Sequence, residues 1–285
     1  MRVDLCVLFA GLDLNAFAPL FLETLYRNCD VSNLCVHVVE KGRFESEYNG
    51  TEEWMKNLFM ENYIPGVGDN VHNYLLKKKE ESLVPFTIHD AHDASMFFNK
   101  RTPSEPEYGL GSDYAETLNW AIDNCGQNKW IIFCHSDMVF IKDIITPFIE
   151  RMGDWTAGMF GIYGHFIAVN REAYHKINGN FNIISNFRAV PFSAAGFDYI
   201  IRHAADPRCP DVPESKTIYG WDTFQLLELM MIANGWVCDV EERHDLKDYV
   251  HHMASGHGYL GSKEAVDNRQ GIISAWLNTY KVKRV

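Results

Sequence analysis

The chain has 285 residues, 47% of them hydrophobic, which suffices for a sizeable core in one large domain or two fused halves and argues against a disordered chain. Its 26 Lys and Arg against 38 Asp and Glu give a formal charge of −12, and the basic residues are scattered apart from Lys77 to Lys79, which argues against nucleic acid or an anionic membrane as partner. The seven cysteines form no CxxC pair, so free thiols in a reducing, cytoplasmic setting are the simplest account, and the short apolar run Leu5 to Ala10 predicts neither a signal peptide nor a membrane span.

The chain opens with a buried strand over Val3 to Ala10 that stops at Gly11, followed by a helix over Asn15 to Asn28 that sets Phe17, Leu20, Phe21 and Leu25 at helical spacing. Pro19 is tolerated there if it falls near the first turn. Leu34 to Val39 repeats the strand signal and ends in Glu40. From Gly42 to Leu83 the pattern loosens into an insertion with two helices, the first carrying Trp54, Met55, Leu58 and Phe59 after Thr51. Pro85 to His89 reads as a short strand. His89, His92 and Asp93 have no spacing that specifies a metal, and loop histidines usually just meet solvent. A helix follows over Gly109 to Asn124, with Gly111 in its Gly-Leu-Gly-Ser lead and Asp113 and Glu116 placed for a capping box.

Trp130 to Cys134 has the length and the aromatic and β-branched content of a fully buried strand, and His135, Ser136 and Asp137 fall at its carboxyl end. In an open α/β sheet ligands bind outside the carboxyl ends of the strands. Asp137 would then face a ligand crevice, with Glu40 on the same rim. A carboxylate there suits Mg²⁺ or Mn²⁺, held together with the phosphates of a substrate. The plainer reading of Asp137 is a turn aspartate, and that of Glu40 a solvated loop carboxylate. The helix before this strand would present its amino end, and hence its N–H groups, to an anion at that rim.

GSDYAETLNWAIDNCGQNKWIIFCHSDMVF resembles the core of family 2 glycosyltransferases of the GT-A fold, where a glycine, a helix with an alanine and an asparagine, and a strand ending in DxD or a variant recur. The resemblance continues in HFIAVNREAYHKINGNF (165–181), in YGWDTFQLLELMMIANGW (219–236), similar to the helix carrying the acceptor-activating acid, and in YVHHMASGHGY (249–259), similar to the late strand whose histidine completes the metal site. Each motif alone is degenerate. What the resemblance implies is an α/β protein of the GT-A nucleotide-diphospho-sugar transferase fold, with a mixed, mostly parallel sheet flanked by helices. Its single domain over 1–285 would have a nucleotide-sugar half (1–143, with the insertion 42–83) and an acceptor half (144–285).

By the same resemblance the activity is transfer of a sugar from a nucleotide-diphosphate donor to a carbohydrate or other hydroxyl acceptor. Inversion is the expected outcome and retention stays open. Asp137 would hold Mn²⁺ or Mg²⁺ with one of His251 and His252, since adjacent strand residues point oppositely. Asp222 would be the base. Ala10, Gly11, Glu40, Gly111, Asn119, His135 and Ser136 would line the donor, with Lys263 or Arg269 reaching its phosphates from beyond a glycine-rich loop. Two departures stand out: His135 replaces the first metal-motif aspartate, which favours Mn²⁺ over Mg²⁺, and the usual Glu-Asp pair reads Trp221-Asp222. Ser193 to Tyr219, irregular and rich in proline, is the expected acceptor-recognition segment. Rival classes are a sugar-phosphate nucleotidyltransferase, whose glycine-rich loop with Arg and Lys is not matched by Ala10-Gly11-Leu12-Asp13-Leu14-Asn15, and a non-catalytic binding member of the same fold.

Overall fold

Seven strands form one sheet in the order β3-β2-β1-β4-β7-β6-β8, where β1 is Val3–Phe9, β2 Leu34–Glu40, β3 Phe86–Asp90, β4 Trp130–His135, β6 Met159–Ile162, β7 Phe166–Asn170 and β8 Cys238–Glu241. The computed structural model describes residues 1–9, 14–40, 67–81, 86–90, 110–153, 157–162, 166–181, 224–241, 248–253 and 263–285. β3, β2, β1 and β4 run parallel, β7 is antiparallel to β4 and β6, and β6 is parallel to β8. The expected mixed, mostly parallel sheet flanked by helices is therefore the architecture of this chain.

Among the described residues the helices in chain order are α1 (Leu14–Asn28), α2 (Val67–Glu81), α3 (Leu110–Asn124), α4 (Ile145–Met152), α5 (Arg171–Lys176), α6 (Gln225–Ala233) and α7 (Lys263–Tyr280). β1 is buried at every residue, as its unbroken apolar run requires for a central strand covered on both faces. Alternation divides it between two layers. Val3, Leu5, Val7 and Phe9 pack with α1, α2 and α4, while Cys6 and Leu8 pack with α3 and α6. Burying each large apolar side chain in these layers contributes about 1.5–3 kcal/mol.

α1 starts at Leu14, so Pro19 lies beyond the first turn, further in than expected. A proline there has no N–H to give the carbonyl four residues back. That carbonyl, on Asn15, instead accepts from Val285 N at 2.9 Å. The short strand β5 (Met138–Phe140) pairs antiparallel with β9 (Val250–His252), and this ribbon is held between α1 and α7 through Phe17, Leu20, Val139, Met253, Ile273 and Leu277. Within the insertion 42–83, α2 packs on the β1 side through Val71 and Leu75, whereas Trp54 to Phe59 lie outside the described residues. No helix among the described residues is long and apolar enough to cross a membrane. The six described cysteines are all free thiols.

Candidate metal and nucleotide site

The parallel pairing sets the level of each strand end. Phe9 pairs with Glu40 and Leu8 with His135, so Glu40 and His135 share the carboxyl rim, two strand spacings or roughly 10 Å apart. α3 is joined to the start of β4 by a short link, and its 15 residues span roughly 22 Å, which returns its amino end, with Gly111 in the first turn, to the same rim.

At that rim the chain turns through Ser136 and Asp137 into β5. Both residues are buried, Asp137 with only 3% exposure. The backbone carbonyl of Asp137 accepts from Met253 N at 3.0 Å, which fixes the register of β9 against β5. Met138 then lies opposite His252 and Val139 opposite His251, and the two histidines face different neighbours. His252 Nε2 lies 3.2 Å from Asp137 Oδ1, His135 Nδ1 lies 3.9 Å from the same oxygen, and the rings of His135 and His252 are 5.4 Å apart. The ligand atoms of His135, Asp137 and His252 all lie within 4.8 Å of one another. One carboxylate oxygen and two imidazole nitrogens form a donor set that suits a first-row transition-metal dication, Mn²⁺ included, better than Mg²⁺.

His251 is turned the other way. Its ring lies 5.2 Å from that of Trp276 on α7, and burial, then the neighbouring His252, hold its pKa below the ordinary value. Of His251 and His252, one of which was expected at the metal, His252 is the one in the cluster.

Other expected donor residues have partners within the chain. Glu40 Oε2 lies 2.6 Å from His72 Nδ1, tying the end of β2 to α2. Asn119 Oδ1 accepts from Tyr174 Oη (2.7 Å) and Phe181 N (2.9 Å), and its Nδ2 donates to Asn180 (2.9 Å). It thus braces α3 against the segment after β7. Arg269 is buried within α7, and Lys263 opens that helix. Ala10, Gly11, His92, Asp93, the segment 193–219, Asp222 and the glycines 256, 258 and 261 lie outside the described residues. The N-cap position of α6 falls at Phe224, whose own backbone is helical, and Phe224, Leu227 and Met231 form the buried face expected of that helix.

His89 is not a solvent-facing loop histidine. It lies on β3, half-buried, with Nε2 2.9 Å from His37 Nδ1. His37 Nε2 lies 3.3 Å from Asp4 Oδ1, and Asp4 also accepts from Asn128 N (2.9 Å), Asn128 Nδ2 (2.7 Å) and Arg171 (3.0 Å). Burial alone would raise the Asp4 carboxyl, but the bonds from His37 and Asn128 and the charge of Arg171 hold it below its ordinary value. The signal for this network was a single polar residue inside each of two apolar strands, Asp4 in β1 and His37 in β2.

No family model matches the chain, and a search of curated proteins returned no match. Among solved structures the chain is similar to the mannosyltransferase PcManGT from Pyrobaculum calidifontis in complex with GDP-Man and Mn²⁺, at 12% identity and a TM-score of 0.40, over 62% of this chain and 47% of that one. It is similar to S. aureus TarS 1-349 at 10% identity and a TM-score of 0.44, over 98% of this chain and 66% of that one. It is also similar to 4-diphosphocytidyl-2C-methyl-D-erythritol synthase from Anaerococcus prevotii, at 8% identity and a TM-score of 0.44, over 96% and 98%. The chain spans under half the length of PcManGT and just under two thirds of the TarS fragment. At such identities and TM-scores the likeness assigns no reaction.

Proposed function

We propose that the chain is a metal-dependent glycosyltransferase of the GT-A type, moving a sugar from a nucleotide-diphosphate donor to a hydroxyl acceptor with inversion. The observation that carries this reading is the meeting of His135, Asp137 and His252 at the carboxyl rim of the parallel strands, within 4.8 Å. In open α/β sheets that rim is where ligands bind. The motif resemblance around Asp137, Asp222 and His252 supplies the reaction class.

A divalent cation held by Asp137, His252 and His135 would act as a Lewis acid and offset the charge that develops on a departing diphosphate. The protein's own contributions are distinct. Burial of Asp137 keeps water from screening its charge, and the Met253–Asp137 backbone bond pre-positions His252 so that little ordering is required on binding. The amino end of α3 offers N–H groups to phosphate oxygens. Asp222 takes the proton of the acceptor hydroxyl as general base, and a single displacement with one base inverts the anomeric carbon.

Isothermal titration of the full chain with several nucleotide sugars, with and without Mn²⁺, tests the reading. Binding of at least one nucleotide sugar that requires Mn²⁺ is expected, followed by turnover when an acceptor is supplied. Donor binding indifferent to any divalent cation would overturn it.

A further inference from the structure

A second cluster of metal-ligating side chains lies across the sheet from His135. Strand alternation places Asp4 and Cys6 of β1, His37 of β2 and His89 of β3 on the face of the sheet that packs against α3, and Cys125 follows the last residue of α3. Ligand atoms of His37, His89 and Cys125 all lie within 4.8 Å of one another. His37 pairs in register with Cys6, roughly 7 Å below the level of His135, and His89 pairs with Val39 at that level but three strand spacings, roughly 14 Å, away across the sheet.

We propose that His37, His89 and Cys125 form a second cation site that takes a borderline-soft divalent ion of the Zn²⁺ class, independent of the site at the rim. Two imidazoles and a thiolate are the donors that Zn²⁺ prefers, and hard ions such as Mg²⁺ do not. Four observations support it. First, Asp4 is a carboxylate that meets His37 at Nε2, which puts the proton on that nitrogen and leaves the Nδ1 lone pair directed toward His89. A carboxylate on the far nitrogen of a histidine is the usual orienting partner of a metal-bound imidazole.

Second, a Cys125 thiolate and the Asp4 carboxylate, set against the Arg171 guanidinium on Asp4, would leave one net negative charge to offset a buried dication. Cys125 also lies at the carboxyl end of α3, where the helix dipole favours a cation. Third, the neighbouring Cys6 is fully buried and hydrogen-bonded with Cys125, so its S–H can donate to the Cys125 sulfur. Fourth, His37 and Cys125 are buried while His89 is half-buried, so the cluster is approached from solvent on the His89 side. Arg171, held on Asp4 and on the Cys125 carbonyl, closes the opposite side.

The rival is a metal-free chain in which His89 donates to His37 and His37 to Asp4. Titration of the reduced full chain with Co²⁺ separates the two, because a cobalt–thiolate bond gives a charge-transfer band in the near ultraviolet. The band should appear with one equivalent and persist in an Asp137→Asn, His252→Ala double variant. It should vanish in Cys125→Ala, and His89→Gln should weaken Co²⁺ binding at least about 10-fold. His89 is half-buried, so its variant remains informative if Cys125→Ala does not fold. Absence of the band in the folded wild-type chain, its survival in Cys125→Ala, or unchanged Co²⁺ affinity in His89→Gln would each overturn the proposal.

Discussion

His252 and Asp137 are far apart in the chain, yet His252 Nε2 lies 3.2 Å from Asp137 Oδ1 because the Met253–Asp137 backbone bond locks β9 against β5. The same register turns His251 onto Trp276. Single alanine substitutions should therefore separate. His252→Ala should weaken Mn²⁺-dependent nucleotide binding at least about 10-fold, while His251→Ala should leave it within about twofold and cost stability through lost packing on α7. Equal effects on binding, measured by titration calorimetry, would contradict the geometry assigned to this strand.

Asp137 is the one carboxylate in the cluster, and its charge carries most of the attraction for a dication. Asp137→Asn keeps the shape and removes the charge. The variant should fold with a melting temperature close to wild type and lose Mn²⁺-dependent affinity for a nucleoside diphosphate. Retained affinity in calorimetry, with the metal requirement intact, would return Asp137 to the role of a turn residue.

How far the sequence reveals this depends on where each residue's partners come from. β1, β2 and β4 are legible because strands covered on both faces must be continuous apolar runs, and their carboxyl ends, Glu40 and His135, follow directly. The opposite facing of His251 and His252 follows from the two-residue period of a strand. The Asp4–His37–His89 chain is not legible in the sequence, because a lone polar residue in an apolar strand gains meaning only when the facing strand's register is known. The partners of Asn119 lie in the segment after β7, and the carbonyl left by Pro19 is bonded by Val285. Such pairings are set by tertiary packing, which local periodicity does not encode.

Gly126 tests the packing around Asp4. Its φ is +80°, a region that side chains rarely adopt, and a Cβ there would come within 2.4 Å of the Asp4 carboxylate. Gly126→Ala should destabilise the fold by at least about 1–3 kcal/mol from the backbone conformation alone, with a further loss from displacing Asp4. Chemical denaturation that finds the variant within about 0.5 kcal/mol of wild type, an ordinary surface effect, would show that this turn relaxes freely.

Glu228, in the first turn of α6, has its carboxyl raised above the ordinary value of 4.5 by burial. Sign follows from proton uptake: between the unfolded and folded pKa values the folded state holds the proton more often, so stability falls as pH rises through that window. Above it the charged carboxylate bears the full desolvation penalty. Glu228→Gln mimics the protonated acid, so its melting temperature should exceed that of wild type at pH 7 and the gain should disappear below about pH 4, where both states are protonated. A gain of the same size at both pH values would point to a cause other than ionisation.

The base is the last element of the proposed chemistry, and for Asp222 two roles compete. It precedes α6, and a carboxylate near a helix amino end is stabilised in its charged form by N–H groups and the dipole, which makes it a weaker base. Phe224, in helical conformation, occupies the N-cap position and makes no side-chain cap bond, so capping by a side chain at that position does not start this helix. Asparagine separates the roles, because it caps about as well as aspartate but cannot accept the acceptor's proton, whereas alanine removes both functions and, if Asp222 caps, costs about 1 kcal/mol. Asp222→Asn should keep its melting temperature and donor affinity yet lose turnover by a factor of order 10²–10⁴. Asp222→Ala should lose turnover to the same degree and, only if the capping role is real, melt earlier. Near wild-type transfer by Asp222→Asn in a coupled assay of released nucleoside diphosphate would move the search for the base to another residue at the acceptor side.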